Sequence, residues 1–220
     1  MSAAEPLPGG HPHAHRGAAP LLAVLAALWG DPVAAADMPS PEQVVTATVA
    51  EIAEVMAKRH DELAADRRKL DALIDEVLRP RFDLETTCRL ILGPHWKTAT
   101  PEQQRRFVET FYRFLVASYG HSLLDFRADS LTIHPAKEPL LGSSTQVRTT
   151  IKLASGRVHH IDLYLRLDAR RWRIVDALIE GVSYVRTYRG DFGVEIRATS
   201  LDALNERLEA LAASKLSAVK

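Results

Sequence analysis

Apolar positions along this chain change their spacing near Asp129: before it they recur every three or four residues, after it every two. Ser40-Pro41-Glu42-Gln43 opens the first regular stretch, with Ser40 as N-cap, Pro41 at the first helical position and Gln43 completing a capping box. Val45, Val49, Ile52 and Met56 then keep a helical period. A charged stretch from Lys58 to Asp71 follows, Leu70, Ile74, Val77 and Leu78 resume the period, and Pro80 predicts its end. Asp83 can cap a short helix carrying Leu84, Cys88, Ile91 and Leu92, stopped by Gly93-Pro94. Thr100-Pro101-Glu102-Gln103 repeats the opening signal. In the helix after it, Phe107, Phe111, Phe114 and Leu115 form one apolar face, continued by Ser118, while Val108, Tyr112, Val116 and Tyr119 form a neighbouring one. A surface helix needs an apolar stripe only about 100° wide. The greater breadth admits two readings: a helix central to an ordinary core, or one with a face on the core and another on a ligand cavity.

The two-residue period starts at Leu131 and Ile133. Val147, Thr149, Ile151 and Leu153 alternate with Arg148, Thr150 and Lys152, and Ser155-Gly156 is a hairpin signal. Ile161, Leu163, Leu165 and Leu167 then face one way and His160, Asp162, Tyr164 and Arg166 the other. After a turn at Asp168-Ala169-Arg170, Trp172, Ile174 and Asp176 alternate with Arg173 and Val175. Short turns between four strands predict an antiparallel meander. Its greasy face needs a cover that only the helices of the first half can supply, which predicts an α+β layer fold. Ser200 caps a last helix bearing Leu201, Leu204, Leu208 and Leu211.

Composition adds bounds. The chain has 220 residues, 46% of them apolar and 25% charged, with zero formal net charge. That is the make-up of a folded domain with a sizeable core. Neither a basic surplus nor a basic run points to nucleic acid or an anionic membrane. Residues 1–17 are rich in Gly, Pro and His with Arg16 as their one Lys or Arg, Ala18 to Trp29 is uncharged, and Ala34, Ala35 and Ala36 follow. This is the layout of a secretory signal over 1–36, its apolar run short of the roughly 20 residues that span a bilayer; an uncleaved anchor is the alternative. Residues 37–220 then form a single domain with its core at about 40–212. Cys88 is the one cysteine, so no intrachain disulfide exists, and its place in an apolar helical pattern predicts a core packer.

Catalytic chemistry finds little footing. His160 and Asp162 share a strand face but are too few for zinc, which takes three or four ligands. Asp176 and Glu180 could be paired carboxylates, yet they straddle a strand end and a turn. No Gly-X-Ser-X-Gly elbow occurs, Cys88 has no identifiable base, and Gly190 and Gly193 make no phosphate loop. No metal, cofactor or catalytic residue is expected.

One block is more specific. Trp172-Arg173-Ile174-Val175-Asp176, then Glu180-Gly181-Val182-Ser183, then Tyr188-Arg189-Gly190-Asp191-Phe192 resembles the signature of the MlaC-type lipid carriers, the toluene-tolerance family. Phe82-Asp83, the run Ile91 to Trp96, and Pro101, Gln104, Arg105, Phe107, Phe111, Leu115 and Tyr119 extend the likeness over most of 40–212. The resemblance implies helices around a curved four-stranded antiparallel sheet that encloses an apolar pocket for the acyl chains of a phospholipid. It implies a monomeric periplasmic shuttle between an outer-membrane lipoprotein complex and an inner-membrane MCE-type ABC transporter, maintaining the lipid asymmetry of the outer membrane. Its cargo would be a phospholipid or, as in other members, a hopanoid. Phe107, Phe111, Leu115, Leu163, Leu165, Val175, Ile179 and Val182 are the expected core or pocket wall. Asp176, Glu180 and Arg189 are expected to do structural work, Arg189 as a partner for the carboxylates. A small enzyme on a cone-shaped fold of the ketosteroid-isomerase type is the reading of another class; it needs a carboxylate or His deep in the pocket with a shifted pKa.

Overall fold

The computed structural model describes residues 38–125, 131–134, 143–152 and 156–217. The expected signal segment, Asp129, Leu153 and Ser155 lie outside the described residues.

Ser40 opens α1 (Pro41–Ala65): its hydroxyl accepts from the Gln43 N–H at 3.2 Å, and the Gln43 side chain accepts from the Ser40 N–H at 2.7 Å. The charged stretch does not interrupt this helix but forms its last turns, where Lys58 pairs with Glu54 and Arg59 with Glu62. The break comes at Asp66, whose carboxylate accepts from the N–H groups of Arg68 and Lys69 and caps α2 (Arg67–Leu73). A π turn (Ile74–Leu78) and a 3-10 turn (Arg79–Arg81) follow, so the segment passes through Pro80 before Phe82 becomes extended. Pro80 is tolerated because it stands in the first turn of the new element.

Asp83 caps α3 (Leu84–Leu92) through the Thr86 N–H. Gly93, at φ 52°, ends α3, and Pro94 starts a helix that the sequence pattern did not reveal, α4 (Pro94–Thr98). A side chain at 93 would also meet the Arg189 guanidinium at 3.1–3.3 Å, so both backbone and space demand glycine there. Thr100 and Gln103 form the second capping box at the head of α5 (Pro101–Tyr119). A 3-10 turn, Gly120–Asp125, closes the helical half.

The sheet is an open antiparallel meander of five strands, one more than expected: β1 (Leu131–His134), β2 (Ser144–Lys152), β3 (Val158–Asp168), β4 (Arg171–Ile179) and β5 (Val182–Ser183). The additional strand arises because Glu180 and Gly181, at φ 51° and 78°, turn the chain tightly enough for Val182 to pair with Ile179 and Ser183 with Leu178. A bulge corrects the facing of β4. Leu165 pairs with Ile174, but Tyr164 pairs with Asp176, leaving Val175 as an extra residue. Asp176 therefore stands beside Tyr164, on the face opposite Trp172 and Ile174, and not with them as strict alternation predicts. Since β5 is so short, the start of α3 also meets the outer edge of β4: the Asp83 N–H donates to the Ile174 carbonyl at 2.8 Å and the Thr87 hydroxyl to the Val175 carbonyl at 2.9 Å.

After β5 the chain enters α6 (Tyr184–Ala198), a second helix unread in the sequence, and α7 (Leu201–Ser217), where the Ser200 hydroxyl accepts from the Ala203 N–H. The core has three parts. Val45 of α1 packs with Val147, Leu165, Trp172 and Ile174 on one face of the sheet. Ile52, Met56, Leu63, Leu70 and Leu73 join α1 to α2. Cys88, Ile91, Phe107, Phe111, Phe192 and Leu204 join α3, α5, α6 and α7. Cys88 is fully buried, and burial pushes its thiol pKa up, so it behaves as a small apolar side chain.

Candidate functional site

Where α3, α5 and α6 meet β4 they leave an apolar hollow of about 110 Å³. Phe82, Leu84, Thr87 and Ile91 come from α3 and its approach, Phe111 and Leu115 from α5, Val175 to Ala177 from β4, and Tyr184, Val185 and Tyr188 from α6. Two carboxylates fix these elements, Asp83 buried and Asp176 half-buried. Asp83, 3% exposed, caps α3 and accepts from Arg166 on β3, Nη2 at 2.6 Å and Nε at 3.2 Å, with Arg173 of β4 at 3.7 Å. Burial pushes its pKa up, but the bonds from Arg166 and Thr86 and the charge of Arg173 prevail and leave it below the ordinary carboxylate range. Asp176 anchors α6: it accepts from the Ser183 hydroxyl at 2.5 Å and the Val185 N–H at 3.0 Å, while Ser183 itself caps the helix through the Arg186 N–H at 3.0 Å.

Aromatic rings fill the interval between α5 and α6. Phe107 stacks on Phe111 at 5.8 Å, and Phe192 meets both edge-on. Tyr188 stands edge-on to Phe111 at 5.1 Å and to Phe114 at 6.0 Å. Farther out, Tyr184 contacts Tyr119 and Tyr188, and the hydroxyls of Tyr119 and Tyr188 share a hydrogen bond of 3.0 Å.

Of the residues named from sequence, Phe111, Leu115 and Val175 lie at this hollow. Phe107 and Leu165 are fully buried in separate parts of the core, Leu163 packs under α1, and Ile179 is half-buried near the end of β4. Val182 is 58% exposed, because the two-residue strand after the left-handed turn leaves it uncovered. In the signature block, Trp172 is buried against α1, Gly181 makes the turn, Ser183 and Asp176 tie α6 to the sheet, Tyr188 lines the hollow and Phe192 sits under it. Arg189 does not pair with either carboxylate as expected; its guanidinium lies against Gly93, while Glu180 accepts from the His160 N–H at 3.2 Å and contacts His159 Nδ1 at 3.0 Å. Sequence reasoning missed Phe82, Thr87, Tyr184 and Val185. A Ser183 N-cap followed by Tyr184, Tyr188 and Phe192 at four-residue spacing is the signal that finds two of the lining side chains.

A larger cleft of about 380 Å³ lies between α2, α5 and α7, but its rim groups are engaged with one another: Arg79 and Arg113 with Glu109, and Tyr112 with Asp75. Among the described residues no group of three His, Cys, Asp or Glu side chains could hold a metal, and no helix is long and apolar enough to cross a membrane.

The family model described as MlaC protein matches residues 46–210. The chain belongs to the MlaC family. It is 25% identical over 173 residues to the toluene tolerance protein ttg2D of Pseudomonas putida, covering 78% of this chain and 79% of that one. It is 26% identical over 122 residues to the intermembrane phospholipid transport system binding protein MlaC of Haemophilus influenzae, covering 54% and 56%. A solved phospholipid-binding protein of Ralstonia solanacearum, in complex with a phospholipid, superposes with a TM-score of 0.72 at 23% identity over 79% of this chain and 97% of that one, and so shares its fold.

Proposed function

We propose that this MlaC-family protein is a periplasmic phospholipid carrier that moves lipid between an outer-membrane lipoprotein complex and an inner-membrane MCE-type ABC transporter, and so supports outer-membrane lipid asymmetry. The observation that carries the reading is the apolar hollow between α3, α5, α6 and β4, which offers a lining and no reactive group. Asp176, the one carboxylate in its wall, already accepts from Ser183 and Val185, so its oxygens serve the fold. That arrangement speaks against the isomerase-type reading, which needs a free carboxylate at depth.

Physical chemistry makes the task worth a protein. Two acyl chains carry on the order of thirty methylenes, and exposing them to water costs on the order of 20 kcal/mol at about 0.8 kcal/mol each. An apolar lining replaces the water, so hand-over between partners can be nearly balanced. Such a carrier needs neither a catalytic residue nor an energy source of its own. The test is native extraction of the periplasmically expressed protein followed by mass spectrometry of its lipid. Chemically intact phospholipid at near one molecule per chain is the expected result. A polycyclic lipid would redirect the cargo to hopanoids, and a chemically altered lipid would overturn the carrier reading.

A further inference from the structure

The hollow is far too small for its proposed cargo. Taking a methylene as about the size of a water molecule, which needs roughly 10–15 Å³ of such space, a cavity of about 110 Å³ holds about seven to eleven of them, fewer than the roughly fifteen of one acyl chain. A lipid tail cannot enter unless a wall moves. Three walls are tied to the sheet by backbone or charged bonds: α3 through Asp83 and Thr87, the first turn of α6 through Asp176, and β4 by its own pairing. The interval between α5 and the second turn of α6 is joined differently. At its outer end it is closed by side chains alone, the rings of Tyr119, Tyr184 and Tyr188 and the one hydroxyl pair between Tyr119 and Tyr188. Tyr184 and Tyr188 line the hollow, whereas Tyr119, one turn beyond Leu115, is 45% exposed.

A second observation stands just behind this closure. Gly190 lies inside α6, two residues past Tyr188, and a side chain built on it would meet nothing within 4 Å. Neither close approach nor a left-handed backbone accounts for it. What a glycine does in an exposed helix interior is weaken the helix, by about as much as any residue but proline.

We infer that Tyr119, Tyr184 and Tyr188 form a clasp that holds the first half of α6 against α5 over the hollow, and that when the clasp opens to admit or release a lipid tail this half moves away from α5 together with the sheet it is tied to, α6 bending at Gly190. The inference rests on the carrier reading. The phenol groups suit the task because their rings seal an apolar space while a hydroxyl pair at the solvent edge can be exchanged for water at little cost. Burial, and then the bond from Tyr119, push the Tyr188 pKa up, so that hydroxyl stays protonated across the neutral range.

The test compares Tyr119→Phe and Gly190→Ala, two variants that preserve the fold, in transfer of a fluorescent phospholipid between vesicles of phosphatidylethanolamine and phosphatidylglycerol. Losing the hydroxyl pair should speed transfer roughly two- to ten-fold, the factor that one net hydrogen bond corresponds to. Alanine at 190 should slow transfer about four-fold, the factor set by its helix propensity over glycine, while raising the melting temperature. Transfer by both variants at the wild-type rate, or a change in the same direction in both, would overturn the clasp and leave the carrier reading intact. A wild type that transfers no lipid in this assay and carries none on purification would remove both.

Discussion

On the α1 side of the sheet the packing is buried and mainly aliphatic; on the α3–α5–α6 side, aromatic rings stand around a hollow. Val45, Val147, Leu165, Trp172 and Ile174 are all buried there. Across the same strand, Phe111, Tyr184 and Tyr188 touch edge to face, with ring centroids 5.1–6.1 Å apart. Branched aliphatic chains interlock at crystal-like density, whereas edge-on rings contact along narrow lines and can swing without losing all contact. One sheet thus has a face that fixes the fold and an end that is free to change volume.

The largest effect should separate the two sides. Leu165→Ala is expected to cost about 2–5 kcal/mol in urea unfolding, since it opens a cavity in the closed core, yet to leave lipid bound per folded molecule unchanged. Leu115→Ala, half-buried and already beside a void, should cost less than about 2 kcal/mol and should alter lipid occupancy. Equal stability losses, or lipid loss from folded Leu165→Ala, would erase the distinction.

Asp83→Asn comes next, expected to cost about 1.5–3 kcal/mol because charge-assisted bonds from Arg166 are lost. The sign with pH follows from the lowered folded pKa. The stabilisation is fully present above the unfolded carboxylate range, about pH 4, and is lost as pH falls through the lower folded value. Melting curves of wild type and variant should therefore converge in acid; a gap that stays constant down to pH 2 would show that the charge is not what matters.

Asp176→Asn should cost about 1–2 kcal/mol as one acceptor of two is weakened, with the loss appearing as faster hydrogen exchange at the start of α6. Bound lipid should come out chemically unchanged in wild type and variant alike; turnover in the wild type that this change abolishes would restore an enzymatic reading.

The smallest expected effect is a gain. Asn205 on α7 is fully buried beside Leu204 and Leu208, and neither atom of its amide has a hydrogen-bond partner among the described residues. Asn205→Leu should stabilise the helical side by about 1 kcal/mol, since it removes an unsatisfied polar group. A destabilised variant would mean that the amide has a partner or that leucine does not fit.

Much of the fold was legible because its helices announce themselves locally. Ser40, Asp83, Thr100 and Ser200 cap the helices predicted for them, and the period-two runs became β1 to β4. What was not legible depends on events that alternation cannot encode. The bulge at Val175 moves Asp176 to the other face without changing a residue type. The start of α6 follows so closely on the turn at Gly181 that its pattern reads as part of a signature. For the site, the apolar breadth of α5 was visible, and both readings of it apply: Phe107 is core, while Phe111 and Leu115 reach the hollow. Depth is not visible in the pattern, so it cannot tell Leu163 and Leu165, which belong to the core, from side chains that line the hollow.

The extra residue in β4 also makes the length of that strand a form of information. Val175 works as a half-step in phase: strand positions before it and after it obey opposite parities. A chain lacking Val175 would place Asp176 directly after Ile174 and still opposite Tyr164, whereas one residue added beside Val175 would turn Asp176 toward the α1 side, away from Ser183 and Val185. With that insertion the tether of α6 would be lost through a change in counting alone, and hydrogen exchange at α6 would report it. Deletion of Val175 should then be far better tolerated than insertion of one residue beside it.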